Sequence, residues 1–168
     1  MDSAGLRSAQ APLKDRYRNA PDDACITLKA EGSVGEGVTC SVETGQALVR
    51  AGLHPATGGD GLHACSGDML LQALVACAGV TLNAVATALD IPIEEGTVLA
   101  EGDLDFRGTL GVDKAAPVGF TAIRLTFRLR SSASAEQIAT LQRLTERYCV
   151  VYQTLRAAPS IEVCVLTA

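Results

Sequence analysis

The chain has 168 residues, close to the usual size of one domain, and a formal net charge of −5. Apolar residues make up 48% of it, which excludes a disordered chain, and with no Trp the core must be mainly aliphatic. The scattered cations argue against nucleic acid and against an anionic membrane surface as partners. We predict a flexible polar arm over residues 1–23 and a single domain over residues 24–168.

The N-terminal region lacks the apolar stretch of a secretory signal, so we expect a cytoplasmic protein with reduced thiols. No two of its cysteines have the CxxC spacing of a zinc ribbon or of a thioredoxin-like motif. The six are Cys25, Cys40, Cys65, Cys77, Cys149 and Cys164. His63 and Cys65 could supply two metal ligands, but two ligands without a further cluster are weak evidence. We therefore predict no metal and no cofactor.

The first half of the chain predicts a hairpin followed by a loop. Cys25–Ala30 and Val38–Val42 alternate as strands do, and glycines lie between them. The segment from Gly52 to Gly67 is rich in glycine and reads as a loop, and it lacks the spacing and the Lys of a phosphate-binding loop.

A long helix is predicted next, with Ser66 as its N-cap and Asp68 in its first turn. No charged residue occurs from Met69 to Leu89, a length that would span a bilayer. Polar residues interrupt the stretch, Ala outnumbers Leu, and strand patterns flank it on both sides. We therefore interpret it as the buried central helix of the fold rather than as a membrane span.

The second half of the chain begins with two predicted strands, Val98–Phe106 and Phe120–Arg130, separated by a turn at Arg107–Asp113. In the second strand one set of alternating residues is the more apolar and should face the core. That set is Thr121, Ile123, Leu125, Phe127 and Leu129.

A second helix is predicted from the capping-box spacing of Ser134 and Gln137, and it ends at Cys149. One side of this helix carries Ile138, Leu141, Leu144 and Tyr148. A short helical piece over Val150–Arg156 and a last strand over Ile161–Thr167 complete the chain. The order of elements predicts an α+β fold in which antiparallel sheet wraps a buried helix.

Cys77 lies in the middle of the long helix, and its neighbours are small. They are Ala73, Ala76, Ala78 and Gly79. A helix-interior Gly costs about 1 kcal/mol relative to Ala, which is tolerated where another element packs closely. Cys149 could come that close, since a disulfide needs Cα atoms about 4.4–6.8 Å apart. The alternative is that Cys77 and Cys149 are inert buried thiols. We interpret Cys25, Cys40 and Cys164 in that way.

These residues resemble the OsmC family, whose relatives include the organic hydroperoxide resistance proteins. The resemblance rests on the segment from Ser66 to Cys77, on Glu146–Leu155, and on the strand between them, Gly119–Leu129. It covers roughly residues 24–168. It implies antiparallel sheets wrapped around a long central helix, and an intertwined homodimer with two active sites at its interface.

The resemblance also implies chemistry. Cys77 would be the peroxidatic residue, oxidised to a sulfenate by an organic hydroperoxide, and Cys149 would resolve it as a disulfide. A dithiol reductant, lipoyl or thioredoxin-like, would restore both thiols. The expected function is thus a thiol-dependent peroxidase. The alternatives are a non-enzymatic redox sensor or small-ligand-binding protein on the same fold, and a structural dimer with inert thiols.

The chain departs from the family pattern at three points. Gly67 stands where a Glu is expected, and we predict that Asp68 takes its place. The Cys-Pro of the pattern is Cys149-Val150 here. The arginine expected to lower the pKa of the peroxidatic thiol does not align. Arg16, Arg18 and Arg107 are candidates, and we favour Arg107 because it lies at a strand end.

Overall fold

The computed structural model of the protein describes residues 3–34, 40–42, 51–62 and 64–165. Its helices and strands follow one another in the order α1 (Ser3–Asn19), β1 (Cys25–Val34), β2 (Cys40–Val42), β3 (Ala51–Gly52), β4 (Ala64–Cys65), α2 (Ser66–Ala88), β5 (Glu95–Asp105), α3 (Phe106–Thr109), β6 (Ala122–Arg130), α4 (Ala135–Tyr148) and α5 (Val150–Arg156). Short 3₁₀ turns occupy Pro21–Ala24 and Pro55–Thr57.

Four strands form one antiparallel sheet in the order β2-β1-β5-β6. β1 runs beside β5 from Cys25, opposite Asp105, to Ser33, opposite Thr97. The predicted hairpin is confirmed by the pairing of β1 with β2, although residues 38 and 39 of the predicted second strand lie outside the described residues. The predicted loop before α2 contains a short parallel ladder of β3 with β4. The α+β class is confirmed.

The long central helix, α2, packs on the sheet through β1 and β5 and on α4 and α5 from the side. Leu71, Leu74 and Val75 are fully buried there with Val98 and Ala100 of β5. By length and composition α2 could cross a membrane, but half of its apolar stretch is buried within the fold, which favours a core helix. Some residues of this central helix, such as Val80, nevertheless remain exposed.

The flexible arm predicted over residues 1–23 is instead a helix followed by a 3₁₀ turn. Leu13 and Tyr17, four residues apart, lie on the face that meets Phe106. The Tyr17 hydroxyl donates to the carbonyl of Ala56 at 2.8 Å. This anchor is 39 residues away along the chain, so local composition gave no sign of it.

Two predicted helix details need correction, and one is confirmed. Cys65, not Ser66, occupies the N-cap of α2, in extended conformation and without a side-chain cap bond. Tyr148 is exposed, because Cys149 takes the buried position at the end of α4. The capping box of α4 is present, with the Gln137 N–H donating to Ser134 Oγ at 3.2 Å.

The strands predicted in the second half are present as β5 and β6, and the apolar set of β6 is the more buried one, as predicted. The predicted turn at 107–113 begins with a single helical turn, α3. Asp105 caps α3 by accepting from the Arg107 N–H at 3.0 Å.

The last strand, predicted over Ile161–Thr167, is not formed in the described part of that segment. Residues 157–165 carry no ladder, and residues 166–168 lie outside the described residues. Ile161, Val163 and Val165 are each more than 80% exposed. A strand pattern becomes a strand only where an edge is available to pair with it, and here this segment pairs with none.

Candidate active site

Cys77 lies midway along α2 and is partly buried against the core cluster that contains Cys149. Val151, from α5, packs against the same cluster. Ala78 and Gly79, which follow Cys77, are buried.

Cys149 joins two helices, as the C-cap of α4 and the N-cap of α5. Its own N–H bonds the carbonyl of Thr145 at 2.9 Å, and its carbonyl accepts from the N–H of Gln153 at 2.9 Å. Its sulfur accepts from the N–H of Tyr152 at 3.5 Å. These bonds fix the backbone on both sides of Cys149, and only 1% of the residue is exposed.

The structure brings the two thiols together. Cys77 packs against the buried cluster that contains Cys149, and both cysteines are free. Thr81, one helical turn after Cys77, lies on the same face of α2, and its hydroxyl helps to lower the pKa of Cys77.

The two thiols have opposite acidities. Burial acts to raise the pKa of Cys77, but donors around its sulfur outweigh burial and hold the pKa below its usual value. Those donors are the Val151 N–H, the Cys149 S–H, the Thr81 O–H and the Val150 N–H. Burial, together with the bond and the charge of Cys77, raises the pKa of Cys149 to about 11. Cys77 is therefore the thiol that ionises first, and Cys149 its protonated neighbour.

Arg107 is engaged elsewhere. Its guanidinium bonds the Asp105 carboxylate through Nε at 3.0 Å and lies 3.7 Å from Asp113. The charge of Arg107 interacts with the thiol of Cys25, not with that of Cys77. The prediction that Arg107 activates Cys77 therefore has no support in this geometry.

Asp68 lies in the first turn of α2, nine residues before Cys77. Nine residues span about 13 Å of helix axis and about two and a half turns, so the two side chains leave opposite faces of α2. Burial raises the pKa of Asp68, and the charge of His54 partly offsets this. The side chain thus belongs to the surroundings of His54.

The other candidate arginines lie in α1 and are paired with carboxylates. Arg16 bonds Asp23 at 2.7 Å, and Arg18 bonds Asp15 at 2.6 Å. Both pairs are exposed. Arg16, Arg18 and Arg107 therefore all have acidic partners within their own part of the fold.

A cavity of about 450 Å³ opens between β6, α4 and α5. Its walls are mainly apolar, with polar groups at Gln142, Glu146 and Arg156. Leu74 and Tyr152 line it and also belong to the packing around the thiols. Phe120 forms part of the wall and lies so close to Gly102 of β5 that a Cβ on Gly102 would overlap its ring.

The sequence model of the OsmC-like proteins matches residues 58–163, well over half of the chain. The chain belongs to the OsmC-like family. The match includes α2, β5, β6, α4 and α5, and so both Cys77 and Cys149. No curated protein matches the chain.

Two solved structures share the OsmC-like fold. An OsmC-like hydroperoxide resistance protein from Jannaschia sp. CCS1 is 18% identical, with a TM-score of 0.59 over 86% of this chain and 95% of that chain. An OsmC-like protein from Mycoplasma pneumoniae is 19% identical, with a TM-score of 0.55 over 80% of this chain and 86% of that chain. At this identity the likeness shows the fold alone.

Sequence reasoning found the two cysteines of this OsmC-like chain but missed three donors beside Cys77. Thr81 could have been found, since a residue four positions after Cys77 lies on the same face of a helix. The N–H groups of Val150 and Val151 could not have been, because every residue except proline carries one.

The interpretation of Cys25 and Cys164 as buried thiols is wrong. Cys25 and Cys164 are exposed, and Cys65 is partly buried. The side chain of Cys40 and all of His63 lie outside the described residues. Within the described ranges, no three His, Cys, Asp or Glu side chains come together as metal ligands.

Proposed function

We propose that the chain is a thiol-dependent peroxidase that reduces organic hydroperoxides. The observation that carries this is the contact of two thiols of opposite acidity, Cys77 and Cys149. Membership of the OsmC-like family and a fold shared with a hydroperoxide resistance protein support it. The cavity lined in part by Leu74 and Tyr152, which also pack around the thiols, suits a substrate with an apolar organic group.

In the first step the Cys77 thiolate attacks the terminal oxygen of the hydroperoxide. The O–O bond breaks, Cys77 takes the terminal OH and becomes a sulfenic acid, and the alkoxide takes up the proton that Cys77 released on ionising and leaves as the alcohol. Cys77 performs this step because its pKa is the lower one and only a thiolate is a good nucleophile.

In the second step the Cys149 sulfur attacks the sulfenic sulfur, the S–O bond breaks, and water leaves as the disulfide forms. Once Cys77 carries oxygen, its negative charge no longer raises the pKa of Cys149. The resolving thiol thus becomes easier to ionise after the first step. A dithiol, lipoyl or thioredoxin-like, then reduces the disulfide and is itself oxidised.

The test is consumption of cumene hydroperoxide by the wild type, Cys77→Ser and Cys149→Ser, with dithiothreitol as reductant. Cys77→Ser should abolish turnover. Cys149→Ser should allow one turnover, followed by over-oxidation of Cys77, seen by mass spectrometry. Cys164→Ser is the matched control, because Cys164 is exposed outside the cluster. A wild type that ignores the hydroperoxide while both thiols label would instead indicate a redox sensor.

We also propose that the protein is a homodimer. Two features support this proposal. The apolar residues of segment 157–165 alternate and lie exposed, and β6 forms an open edge of the described sheet. The segment of one copy would pair with the β6 edge of the second copy. Glu162, between the apolar residues, would then lie near Arg128 of the second copy, which has the opposite charge. Sedimentation should give a dimer. Ile161→Ser with Val163→Ser should shift it to monomer, and Glu162→Gln, which removes only the charge that faces Arg128, should weaken it less. A monomeric wild type would refute the proposal.

A further inference from the structure

A second cavity, of about 380 Å³, opens beside the first turn of α2, and we call it the His54 cavity. Its walls are mainly apolar and include Leu70, Phe106 and Phe120, while His54 and Cys65 are among the polar residues that line it. Of the residues that the structure describes, Phe120 alone also lines the cavity between β6, α4 and α5. The two cavities are therefore adjacent but distinct. Sites for small molecules commonly have volumes of about 300–1,000 Å³.

The position of His54 is fixed by its neighbours. Its ring stacks on Phe106, with the ring centroids 5.1 Å apart and an angle of 17° between the planes. Its carbonyl accepts from the N–H of Thr57 at 2.8 Å and from the N–H of Gly59 at 3.2 Å. This part of the wall is thus ordered before a ligand arrives, which reduces the entropy that binding would cost.

The hydrogen bonds of the His54 ring also define what it can offer to a ligand. Its Nδ1 accepts from the N–H of Ala56 at 3.0 Å, so Nδ1 carries no proton and the proton of the ring is on Nε2. Among the residues that the structure describes, none forms a hydrogen bond with Nε2. The apolar cavity therefore has a hydrogen-bond donor in its wall that a ligand can use.

We propose that the His54 cavity is a second binding site, for small uncharged molecules that have an aromatic or other apolar body and one carbonyl oxygen. The Nε2–H group of His54 donates to the carbonyl oxygen, and the body of the ligand packs on Leu70 and Phe106. This proposal does not depend on the proposed function, because neither Cys77 nor Cys149 lines the His54 cavity.

The charge around the cavity favours an uncharged ligand over a carboxylate. The positive end of α2 would attract an anion, but Asp68 already occupies the first turn of that helix. Asp68 directly follows Gly67, which lines the cavity, and its charge interacts with that of His54. A carboxylate in the cavity would therefore be repelled by Asp68.

The test uses Cys65 as a reporter, because it lines the His54 cavity and is partly buried. Alkylation of Cys65 by N-ethylmaleimide is followed by mass spectrometry in the reduced full-length protein, with increasing acetophenone, an aromatic ketone. Alkylation should slow about threefold once acetophenone reaches about twice its dissociation constant, because only the free protein reacts. Cys25, which is exposed and lies outside the cavity wall, should react at an unchanged rate.

Two further ligands and two variants isolate the hydrogen bond of His54. Ethylbenzene, which lacks the oxygen, and benzoate, which is charged, should bind roughly three- to tenfold more weakly than acetophenone. His54→Asn keeps an N-cap acceptor for the Ala56 N–H but removes the Nε2 donor, so acetophenone should lose its advantage over ethylbenzene. Leu62→Ala is the matched control, because Leu62 lies in the same loop, is 82% exposed and does not line the cavity.

A Cys65 alkylation rate that no concentration of acetophenone changes would overturn the proposal, and so would protection of Cys77 alone, which would place the ligand in the other cavity. Equal protection by ethylbenzene would refute the role of His54, and equal protection by benzoate would refute the preference for uncharged ligands. If His54→Asn fails to fold, judged by circular dichroism, the three ligands compared on the wild type decide.

Discussion

Two regions of the molecule surround an ionisable group in different ways. One is the thiol pair at Cys77 and Cys149, and the other is the charged turn after β5, formed by Asp105 and Arg107. At the turn, Asp105 is 6% exposed and its charge is met by a full cation, Arg107. At the thiol pair, the charge of Cys77 is met by neutral N–H, O–H and S–H groups. The first arrangement satisfies both partners and stabilises the fold. In the second, among the residues that the structure describes, neutral groups rather than a cation stabilise the nucleophile.

The largest expected difference is within the thiol pair itself. At pH 8 a thiol with a pKa of about 11 is ionised in about one part per thousand, whereas one below its usual pKa is ionised in at least about one part in ten. Cys77 should therefore label at least about a hundredfold faster than Cys149. In Cys77→Ser the labelling profile of Cys149 should move to lower pH. Equal labelling of both thiols in the wild type would contradict the assigned order of acidity.

The next effect concerns stability at the charged turn. Asp105→Ala should cost about 2 kcal/mol of unfolding free energy, because it removes the cap of α3 and leaves Arg107 without its main partner. Urea denaturation measures this loss. Alkylation of Cys77 should stay as in the wild type, and a change in its pH profile would show that the two regions are coupled.

A smaller effect is the acid dependence of that stability. The bond from the Arg107 side chain holds the pKa of Asp105 below its usual value. The contribution of Asp105 is therefore complete above about pH 4, the ordinary range of an Asp, and is lost as the pH falls through the folded-state pKa. Urea midpoints from pH 7 to pH 2.5 should converge for the wild type and Asp105→Asn. A constant gap would mean that Asp105 does not titrate with folding.

The smallest expected effect is on turnover by Arg107→Ala. Because Arg107 bonds Asp105 and not Cys77, hydroperoxide consumption should change by less than about twofold. Arg124→Ala, which removes another cation paired with a carboxylate, is the control. A large loss of kcat with Arg107→Ala alone would reinstate Arg107 as the activating cation.

The features that could be predicted from the sequence were those that depend on residues close together in the chain. The apolar run of α2, the capping box of α4 and the small residues around Cys77 each depend on neighbours within a few positions. The anchor of α1 on Ala56 and the N–H donors at Val150 and Val151 depend on contacts between distant segments. Arg107 was predicted to activate Cys77 because it lies at a strand end, whereas in the structure it bonds Asp105, two residues before it.

The closeness of the Phe120 ring to Gly102 has a consequence for the shape of the cavity between β6, α4 and α5. The ring occupies the volume that a Cβ would fill if almost any other residue stood at position 102. The part of the cavity wall that Phe120 forms therefore depends on the missing side chain of Gly102. A single added carbon at position 102 would push the aromatic ring aside and change the shape of the cavity.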